Sequence, residues 1–257
     1  MGTRERRERS NESDRSLLSL FYAAAKEHLE IGGDKGIALA AVGGYGRGEL
    51  SPGSDLDILI LHQGQFSEER LSSFVNALLY PLWDTHKVDY SVRTRDETSK
   101  ASNSDLKVAL GLLNIRLVAG DPNLVTAVQR DIVDSWHKNS RARLPELKAS
   151  MALRHERAGE LAYLLEPDIK EARGGLRDIN ALRAIALSGA VAVPLERISW
   201  AESILNNLRE TLHTTTARNK DRLLFQEQGK VASALGYADA DAMMSEVAHA
   251  ARLVDHL

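Results

Sequence analysis

The chain has 257 residues, which is long enough for one large domain or two modest ones that bury a core without covalent help. It carries 33 Lys and Arg against 36 Asp and Glu, a formal net charge of −3, so the totals favour neither a nucleic-acid partner nor an anionic membrane. Cysteine is absent, which excludes disulfides and thiolate metal sites, and no apolar run approaches the ~20 residues of a membrane span. We therefore expect a cytoplasmic protein with no nucleic-acid partner and no membrane contact.

The N-terminal region divides into a charged tail and a helix. Residues 1–14 are polar and highly charged, and this composition predicts a disordered tail. From Ser16 onward the apolar residues recur at spacings of three and four, which predicts an amphipathic helix. The Gly32-Gly33 pair is expected to end that helix.

Three strands are predicted next. The apolar segments IALAAVG and LDILILH indicate two buried strands, with a glycine-rich segment between them. The segment SEERLSSFVNALLYPLWDTHK has helical periodicity, and Pro81 should kink or end that helix. The segment KVDYSVRT then alternates polar and apolar residues, as a third strand does.

The rest of the chain indicates helices, and we find no further convincing strand after about Asp96. The apolar spacing is helical in each of the remaining segments, which begin with DLKVALGLLNIRLVAG. This change predicts an α+β protein in which a small mixed-sheet domain, residues 15–125, precedes an all-helical domain, residues 126–257.

Two acids open the second predicted strand. Because side chains alternate along a strand, Asp55 and Asp57 should point the same way with Cα atoms about 6.6 Å apart. Unpaired carboxylates that close would repel, whereas a bound divalent cation lets both stay ionised. Mg²⁺ is commonly held by two carboxylates and substrate phosphates, and two such ions about 3.5–4 Å apart can promote nucleotidyl transfer. Asp89 would be a third metal-binding and catalytic carboxylate if its strand lies beside this one.

The glycine-rich segment GGYGRG fits the same chemistry. Gly43 and Gly44 allow the backbone to approach a triphosphate, Arg47 would add a forked cation, and Ser54 could bond to a phosphate oxygen. The segment is not a Walker A loop, which needs Gly-Lys-Ser/Thr, and it is not a dinucleotide fingerprint, because Glu49 stands where the last glycine is needed. A glycine cluster or a D-x-D alone is usually a turn, but the two together favour a site.

These residues resemble a known family. The Gly43-Gly44 pair followed by Asp55-Leu56-Asp57 resembles the signature of the DNA polymerase β-like nucleotidyltransferase superfamily. The longer stretch GGYGRGELSPGSDLDILIL is similar to its PII-protein uridylyltransferase (GlnD) branch. Three later segments are similar to blocks of that branch in the same order, namely DYSVRT, LEPDIKEARGGLRDINALR and NKDRLLFQEQGKVASALGY.

The resemblance implies an enzyme that transfers UMP or AMP from UTP or ATP to a tyrosine of the nitrogen-signalling protein PII and releases pyrophosphate. It implies that the two acids bind Mg²⁺ and that the glycine-rich residues bind the triphosphate. The superfamily often has Ser at the position of Gly44, although this branch usually has glycine there. Family members continue into a hydrolase domain with a His-Asp motif and into ACT domains. The sequence contains no His-Asp dipeptide, so we expect a truncated form without these domains.

A second candidate site and two alternative functions stay open. In the segment EPDIKEARGGLRD, Lys170, Arg173 and Arg177 could close over phosphates or contact PII, or they could be solvated charges of a helix-linking loop. A nucleotidyltransferase for RNA or a small molecule should add a basic face, which the charge balance does not favour. A non-catalytic nucleotide-binding module should have lost one acid, yet both remain.

Overall fold

The computed structural model describes residues 2–30, 35–83 and 86–257, and the chain divides into two compact units. The first, which we call the sheet unit, consists of Glu5–Leu50 and Ser54–Trp136. The second, which we call the helical unit, consists of residues up to Arg4, Ser51–Gly53 and His137–Leu257. The expected end of the first helix at Gly32-Gly33 lies outside the described residues.

The sheet unit contains a mixed sheet of four strands in the described residues. The strands are β1 (Ile37–Ala41), β2 (Leu56–His62), β3 (Val88–Thr94) and β4 (Arg116–Gly120). Their order is β3-β2-β1-β4, with β1 antiparallel to both β2 and β4 and β2 parallel to β3. The three predicted strands and the α+β fold class are confirmed.

One helix precedes the first strand, and further helices lie between the strands and after the last one. These helices are α1 (Gly2–Ala24), α2 (Gly43–Gly46), α3 (Glu68–Leu79), α4 (Arg95–Ser104), α5 (Leu106–Leu112) and α6 (Pro122–Lys138). A π-helical turn, Ala25–Leu29, continues α1, and a 3₁₀ turn, Tyr80–Leu82, follows α3. The helix α3 therefore ends just before Pro81, as predicted, because proline lacks the amide that would continue the helix.

One face of the sheet carries the core. Alternate β2 residues Leu56, Ile58 and Ile60 are buried in one cluster with side chains of α1 and α3 such as Phe21 and Phe74. Because side chains alternate along a strand, Asp57 lies on the opposite face of β2. Leu59 and Leu61, on the same face as Asp57, are also buried, so Asp57 is the partly exposed residue at the start of an otherwise covered face.

The predicted disordered tail is helical, and this is a correction. The helix α1 begins at Gly2, and Arg6 and Ser10 are buried. The Arg9 Nη1 donates to the Leu50 carbonyl at 2.5 Å, and the Leu50 amide donates to the Ser10 Oγ at 3.5 Å. Composition alone missed this because the polar side chains find their partners on a distant segment of backbone rather than in solvent.

The segment DLKVALGLLNIRLVAG, predicted to be helical throughout, holds one helix and one strand. The helix α5 ends at Leu112, and β4 begins at Arg116. Periodicity does not separate a short buried strand from a continued helix, and pairing with β1 decides the outcome here. Val118 and Ala119 of this strand join the core of the sheet unit.

The second unit is helical, as predicted, and has its own core. Its helices are α7 (Ser140–Ala158), α8 (Leu176–Leu187), α9 (Leu195–Thr216), α10 (Phe225–Leu235) and α11 (Ala240–His256), with a 3₁₀ turn at Leu161–Tyr163. Fully buried residues such as Ile169, Leu205 and Val231 form its core. Within the described residues, none of the helices has the length and hydropathy needed to cross a membrane.

The boundary between the units falls after Trp136, not after residue 125 as predicted. Most of α6 belongs to the sheet unit because its polar face is tied to α4. Arg95 makes a forked ion pair with Asp131, and the Ser135 hydroxyl donates to Asn103 at 2.8 Å. These tertiary contacts are invisible to a reading of composition along the chain.

Candidate active site

Neighbouring strands bring two of the predicted carboxylates to one face of the sheet. Asp57 is the second residue of β2, and it pairs in register with Asp89 of β3. Residues in register on adjacent strands share a face, so both acids lie on the face opposite the core. The expected adjacency of their strands is confirmed, and Asp89 is exposed to solvent.

Asp55 directly precedes β2 and has an unusual carboxylate. Its Oδ2 accepts a hydrogen bond from the Lys87 ammonium at 3.4 Å. Its Oδ1 is buried and has no hydrogen-bond partner among the described residues. A buried carboxylate oxygen without a hydrogen-bond partner destabilises the folded protein. This atom therefore favours the binding of a positively charged ligand.

Gly43 allows the Asp57 carboxylate to lie against the glycine-rich turn. Gly43 has a φ of +56°, and a Cβ built there would stand 3.3 Å from the Asp57 Oδ2. The adjacent Val42 amide also donates to the Asp57 carbonyl at 3.0 Å. The turn and the acid are therefore held side by side, which puts the predicted phosphate-binding backbone next to a predicted metal ligand.

The glycine-rich turn is the short helix α2, and its internal hydrogen bonds reduce the number of backbone amides that could bind phosphate. The amides of Gly46, Arg47, Gly48 and Glu49 donate to the carbonyls of Val42, Gly43, Tyr45 and Gly44 respectively. Helix geometry leaves only the first-turn amides without an acceptor inside the helix. Any backbone cradle for phosphate therefore consists of the amides of Gly43, Gly44 and Tyr45.

Arg47 lies beside the turn and is held by an acid that the sequence did not single out. Its Nε donates to the Glu49 carboxylate at 2.7 Å, and both side chains are largely buried. A Cβ at Gly44 would stand 3.7 Å from the Arg47 Nη2, so the guanidinium lies against this glycine. Ser54, half-buried, comes immediately before Asp55.

The carboxylates of Asp55 and Asp57 fit an Mg²⁺ site only if the substrate contributes further oxygen ligands. Among the described residues, no group of three or more His, Asp or Glu side chains is arranged to hold a metal ion. Asp57 of β2 and Asp55 directly before it nevertheless supply hard oxygen donors, and within the described part of the chain the Asp55 Oδ1 has no hydrogen-bond partner. Mg²⁺ is often bound by one or two carboxylates together with substrate phosphates, so the fit is to a metal–nucleotide complex.

The sequence matches the models of two protein families. The model described as nucleotidyltransferase domain matches residues 24–110, which include the glycine-rich turn and all three acids. The model described as GlnD PII-uridylyltransferase matches residues 142–188 and 193–257. The chain belongs to the GlnD PII-uridylyltransferase family.

Curated relatives of this GlnD-family chain carry the name bifunctional uridylyltransferase/uridylyl-removing enzyme. The protein of Streptomyces coelicolor is 46% identical over 256 residues, which cover 99% of this chain and 30% of the relative. That of Mycobacterium tuberculosis is 36% identical over 239 residues, 90% of this chain and 30% of the relative. That of Photobacterium profundum is 38% identical over 248 residues, 89% and 27% respectively. The GlnD-family chain thus spans less than a third of the length of these relatives.

The second predicted site lies in the helical unit, and its three cations are ion-paired there. The Lys170 Nζ lies 4.0 Å from an Asp221 oxygen. The Arg173 Nε donates to Asp255 at 2.5 Å, and the Arg177 Nε donates to Glu171 at 2.7 Å. These contacts favour the structural interpretation of the segment, although a part in binding stays a prediction.

A buried acid organises this segment of the GlnD-family chain. Asp178 accepts hydrogen bonds from the Gly174 amide at 2.7 Å, from Arg154 at 2.5 Å and from His155 at 3.0 Å. Gly174 has a φ of +83°, and a Cβ there would stand 2.5 Å from the Ala251 carbonyl oxygen. The first glycine of the ARGGLRD motif therefore has a structural reason to be glycine.

Sequence reasoning missed three residues that surround the glycine-rich turn. The sequence predicts a disordered tail at Asp14 and a helix at Arg116, and the glycine motif gives no role to Tyr45. The Tyr45 hydroxyl donates to the Asp14 carboxylate at 2.6 Å, and Arg116 donates to the same carboxylate at 2.7 Å. The only signal available was an aromatic residue between glycines, because the other two residues reach the turn only through the tertiary fold.

Proposed function

We propose that this chain is a nucleotidylyltransferase that moves UMP from UTP to a tyrosine hydroxyl of the PII protein and releases pyrophosphate. One observation carries the proposal: Asp57 of β2 lies against Gly43 of the glycine-rich turn, and the Oδ1 of Asp55, directly before β2, is buried without a hydrogen-bond partner among the described residues. The family description supports PII as the acceptor, and the name of the relatives supports UTP over ATP as the donor.

The triphosphate would bind at the glycine-rich turn. The first-turn amides of α2 and the Arg47 guanidinium would donate to phosphate oxygens, and Ser54 would donate its hydroxyl. Glu49 keeps Arg47 folded against Gly44, so little side-chain freedom is lost when the nucleotide binds.

The carboxylates would then act on the reacting groups. The tyrosine oxygen attacks the α-phosphorus, a new O–P bond forms, and the bond to the bridging oxygen of the β-phosphate breaks. Asp89 would accept the proton of the tyrosine hydroxyl. Two Mg²⁺ ions held by Asp55 and Asp57, with Asp89, would supply charge neutralisation at the attacking and leaving oxygens. Positioning and electrostatics would provide most of the acceleration.

Lys87 is the group that occupies the Asp55 carboxylate in this structure. Its side chain is 82% exposed and the contact is long, so the ion pair contributes little. An exposed flexible ammonium can move away when a more strongly charged ligand binds. The pair is therefore compatible with metal binding at Asp55.

For the segment in the helical unit, Lys170, Arg173 and Arg177 stay proposed contacts for phosphate or PII. Each is engaged by an acid of its own unit, so a contact would need that ion pair to open. The exposed Arg173 and Arg177 pairs are weak enough for such an exchange.

The test is Mg²⁺-dependent labelling of purified PII by labelled UTP. We expect Asp55→Asn and Asp57→Asn to reduce the labelling rate at least about 100-fold, because each removes a charge that acts on the transition state. Asp96→Asn, an exposed acid of the same unit, is the control and should keep wild-type labelling.

Changing the acceptor or the nucleotide in the same assay distinguishes the proposed function from the alternative functions. Labelling of an RNA end in place of PII would favour the second candidate reaction, and binding of UTP without any transfer would favour a non-catalytic module. Unchanged labelling by the two Asn variants would contradict the proposed site. Replacing UTP with ATP identifies the base.

A further inference from the structure

The tyrosine inside the glycine-rich turn is buried and hydrogen-bonded. Tyr45 is 1% exposed, and its hydroxyl donates to the Asp14 Oδ1 of α1 at 2.6 Å. Burial and the hydrogen bond to Asp14 raise the pKa of this hydroxyl above its ordinary value of 10.0. The side chain therefore anchors the turn to the core of the sheet unit, and its hydroxyl remains a donor at neutral pH.

Arg116 of β4 connects that anchor to the backbone of the turn. Its Nη1 and Nη2 donate to the two Asp14 carboxylate oxygens at 2.7 and 3.1 Å. Its Nη2 also donates to the Tyr45 carbonyl and its Nε to the Gly46 carbonyl, both at 3.3 Å. The guanidinium carbon lies 5.4 Å from the centroid of the Tyr45 ring. One planar cation thus contacts the acid, the ring and the carbonyl end of the turn.

Such an arrangement counteracts the flexibility of the turn. A segment with glycine at 43, 44, 46 and 48 loses much conformational entropy when it is ordered. If the turn were ordered only by the nucleotide, that loss would weaken nucleotide binding; a turn ordered beforehand avoids it. The contacts of Asp14, Tyr45 and Arg116, which we call the brace, order the turn in the free protein.

We propose that the brace is a positioning element for the triphosphate site: Asp14 and Arg116, acting through Tyr45, hold the glycine-rich turn in its nucleotide-binding conformation. The side chains of Asp14, Tyr45 and Arg116 are assigned no contact with substrate, and only the backbone amide of Tyr45 belongs to the proposed phosphate cradle. The three side chains are therefore positioning groups and not catalytic ones. This inference rests on the proposed function, because it names the site that the brace serves.

The variants remove the brace in graded steps. Tyr45→Phe removes only the hydroxyl. Asp14→Asn removes the negative charge of the carboxylate that both Arg116 and Tyr45 contact. Arg116→Lys keeps a positive charge but cannot reproduce the four contacts of the guanidinium.

A matched ion pair provides the control. Arg95 and Asp131 form a forked pair in the same unit, with distances of 2.5 and 2.7 Å, on helices α4 and α6. Asp131→Asn therefore breaks the same chemical interaction on elements that do not carry the turn. It should leave nucleotide binding at the wild-type level.

The experiment measures UTP affinity with Mg²⁺ by calorimetry, steady-state labelling of PII, and amide exchange of the turn in the full chain. We expect Asp14→Asn and Arg116→Lys to weaken UTP binding about 10-fold, as the loss of a charge-assisted hydrogen bond would. The KM for UTP should rise in parallel while the KM for PII stays unchanged. The amides of Gly46, Arg47, Gly48 and Glu49 should exchange faster in the absence of nucleotide. Tyr45→Phe should show the same changes to a smaller degree, and of the three variants it should perturb folding least.

A purely structural role gives a different result. Variants that only lower the folded fraction would reduce the apparent kcat and leave both the KM for UTP and the exchange of the folded turn unchanged, and this would overturn the proposal. The double variant of Asp14→Asn and Arg116→Lys should lose less UTP affinity than the product of the two single fold-losses, because both residues act in the same brace. If the wild type binds no UTP, the proposed function fails and the inference fails with it. Equal binding by wild type and variants overturns the inference alone.

Discussion

Individual glycines of the motif have different reasons to be glycine. At Gly46 a Cβ would stand 1.9 Å from the Asn114 carbonyl oxygen and 3.1 Å from that of Ala41. At Gly44 the nearest atom would be the Arg47 Nη2, at the ordinary contact distance of 3.7 Å. The sequence pattern treats these glycines alike as phosphate-binding backbone, whereas packing of the turn against the segment before β4 requires only some of them.

We therefore expect Gly46→Ala to lower the free energy of unfolding by about 2–3 kcal/mol, as overpacking against backbone does. Gly44→Ala is the matched comparison and should change it by less than about 1 kcal/mol. Urea unfolding monitored by circular dichroism measures both. Equal stability of the two variants would mean that the Gly46 contact is relieved without cost.

At the scale of elements, Asp221 ties helix α9 to the segment around Lys170. The Arg209 Nε donates to the Asp221 Oδ1 at 2.6 Å, the His213 Nε2 lies 2.8 Å from the same atom, and the Ile169 amide donates to the Asp221 carbonyl at 2.8 Å. Burial alone would raise the pKa of Asp221, but the hydrogen bond from His213 and the charge of Arg209 outweigh burial and lower the pKa below its ordinary 3.8.

Asp221→Asn should therefore reduce the free energy of unfolding at neutral pH by about 2–3 kcal/mol, since it leaves the Arg209 charge without its partner. Because the folded pKa is lowered, the stabilisation is complete above pH 3.8 and is lost as the pH falls further. The difference between wild type and variant should be constant from pH 5 to 8 and shrink below about pH 4 in urea titrations. A difference that grew in acid would contradict this sign.

Element boundaries show where patterns along the chain are insufficient. The strands β1, β2 and β3 were predictable because their apolar residues are continuous or alternate and turn residues bound them. The helical start of α1 and the strand β4 were not, because the polar side chains of α1 and the backbone of β4 are satisfied by partners far away in sequence.

At the scale of the whole molecule, the described residues form two hydrophobic cores, each confined to one unit. Leu78 is fully buried in the core of the sheet unit, and Leu205 is fully buried in the core of the helical unit. Separate cores predict that each unit has its own stability, since apolar burial is the main favourable contribution to folding.

Leu78→Ala and Leu205→Ala form a reciprocal test of this separation. Each should lower the stability of its own unit by about 3 kcal/mol, the usual result of creating a cavity at a buried leucine. Amide exchange followed by mass spectrometry should show faster opening in the sheet unit for the first variant and in the helical unit for the second. Equal acceleration in both units for either variant would show that the two cores unfold together.

The fold class, the three strands around the motif and the combination of acids with glycines could be predicted from residue patterns, because these features depend on local periodicity and on residue types with few other uses. The sequence also indicated the family, through four separated blocks in a fixed order. Three features follow only from the folded structure: Asp57 lies beside Gly43, the cations of the EPDIKEARGGLRD segment are ion-paired, and Asp14 and Arg116 meet at Tyr45. Such contacts join residues as many as 102 positions apart, and no pattern along the chain encodes which polar groups become neighbours when the backbone folds.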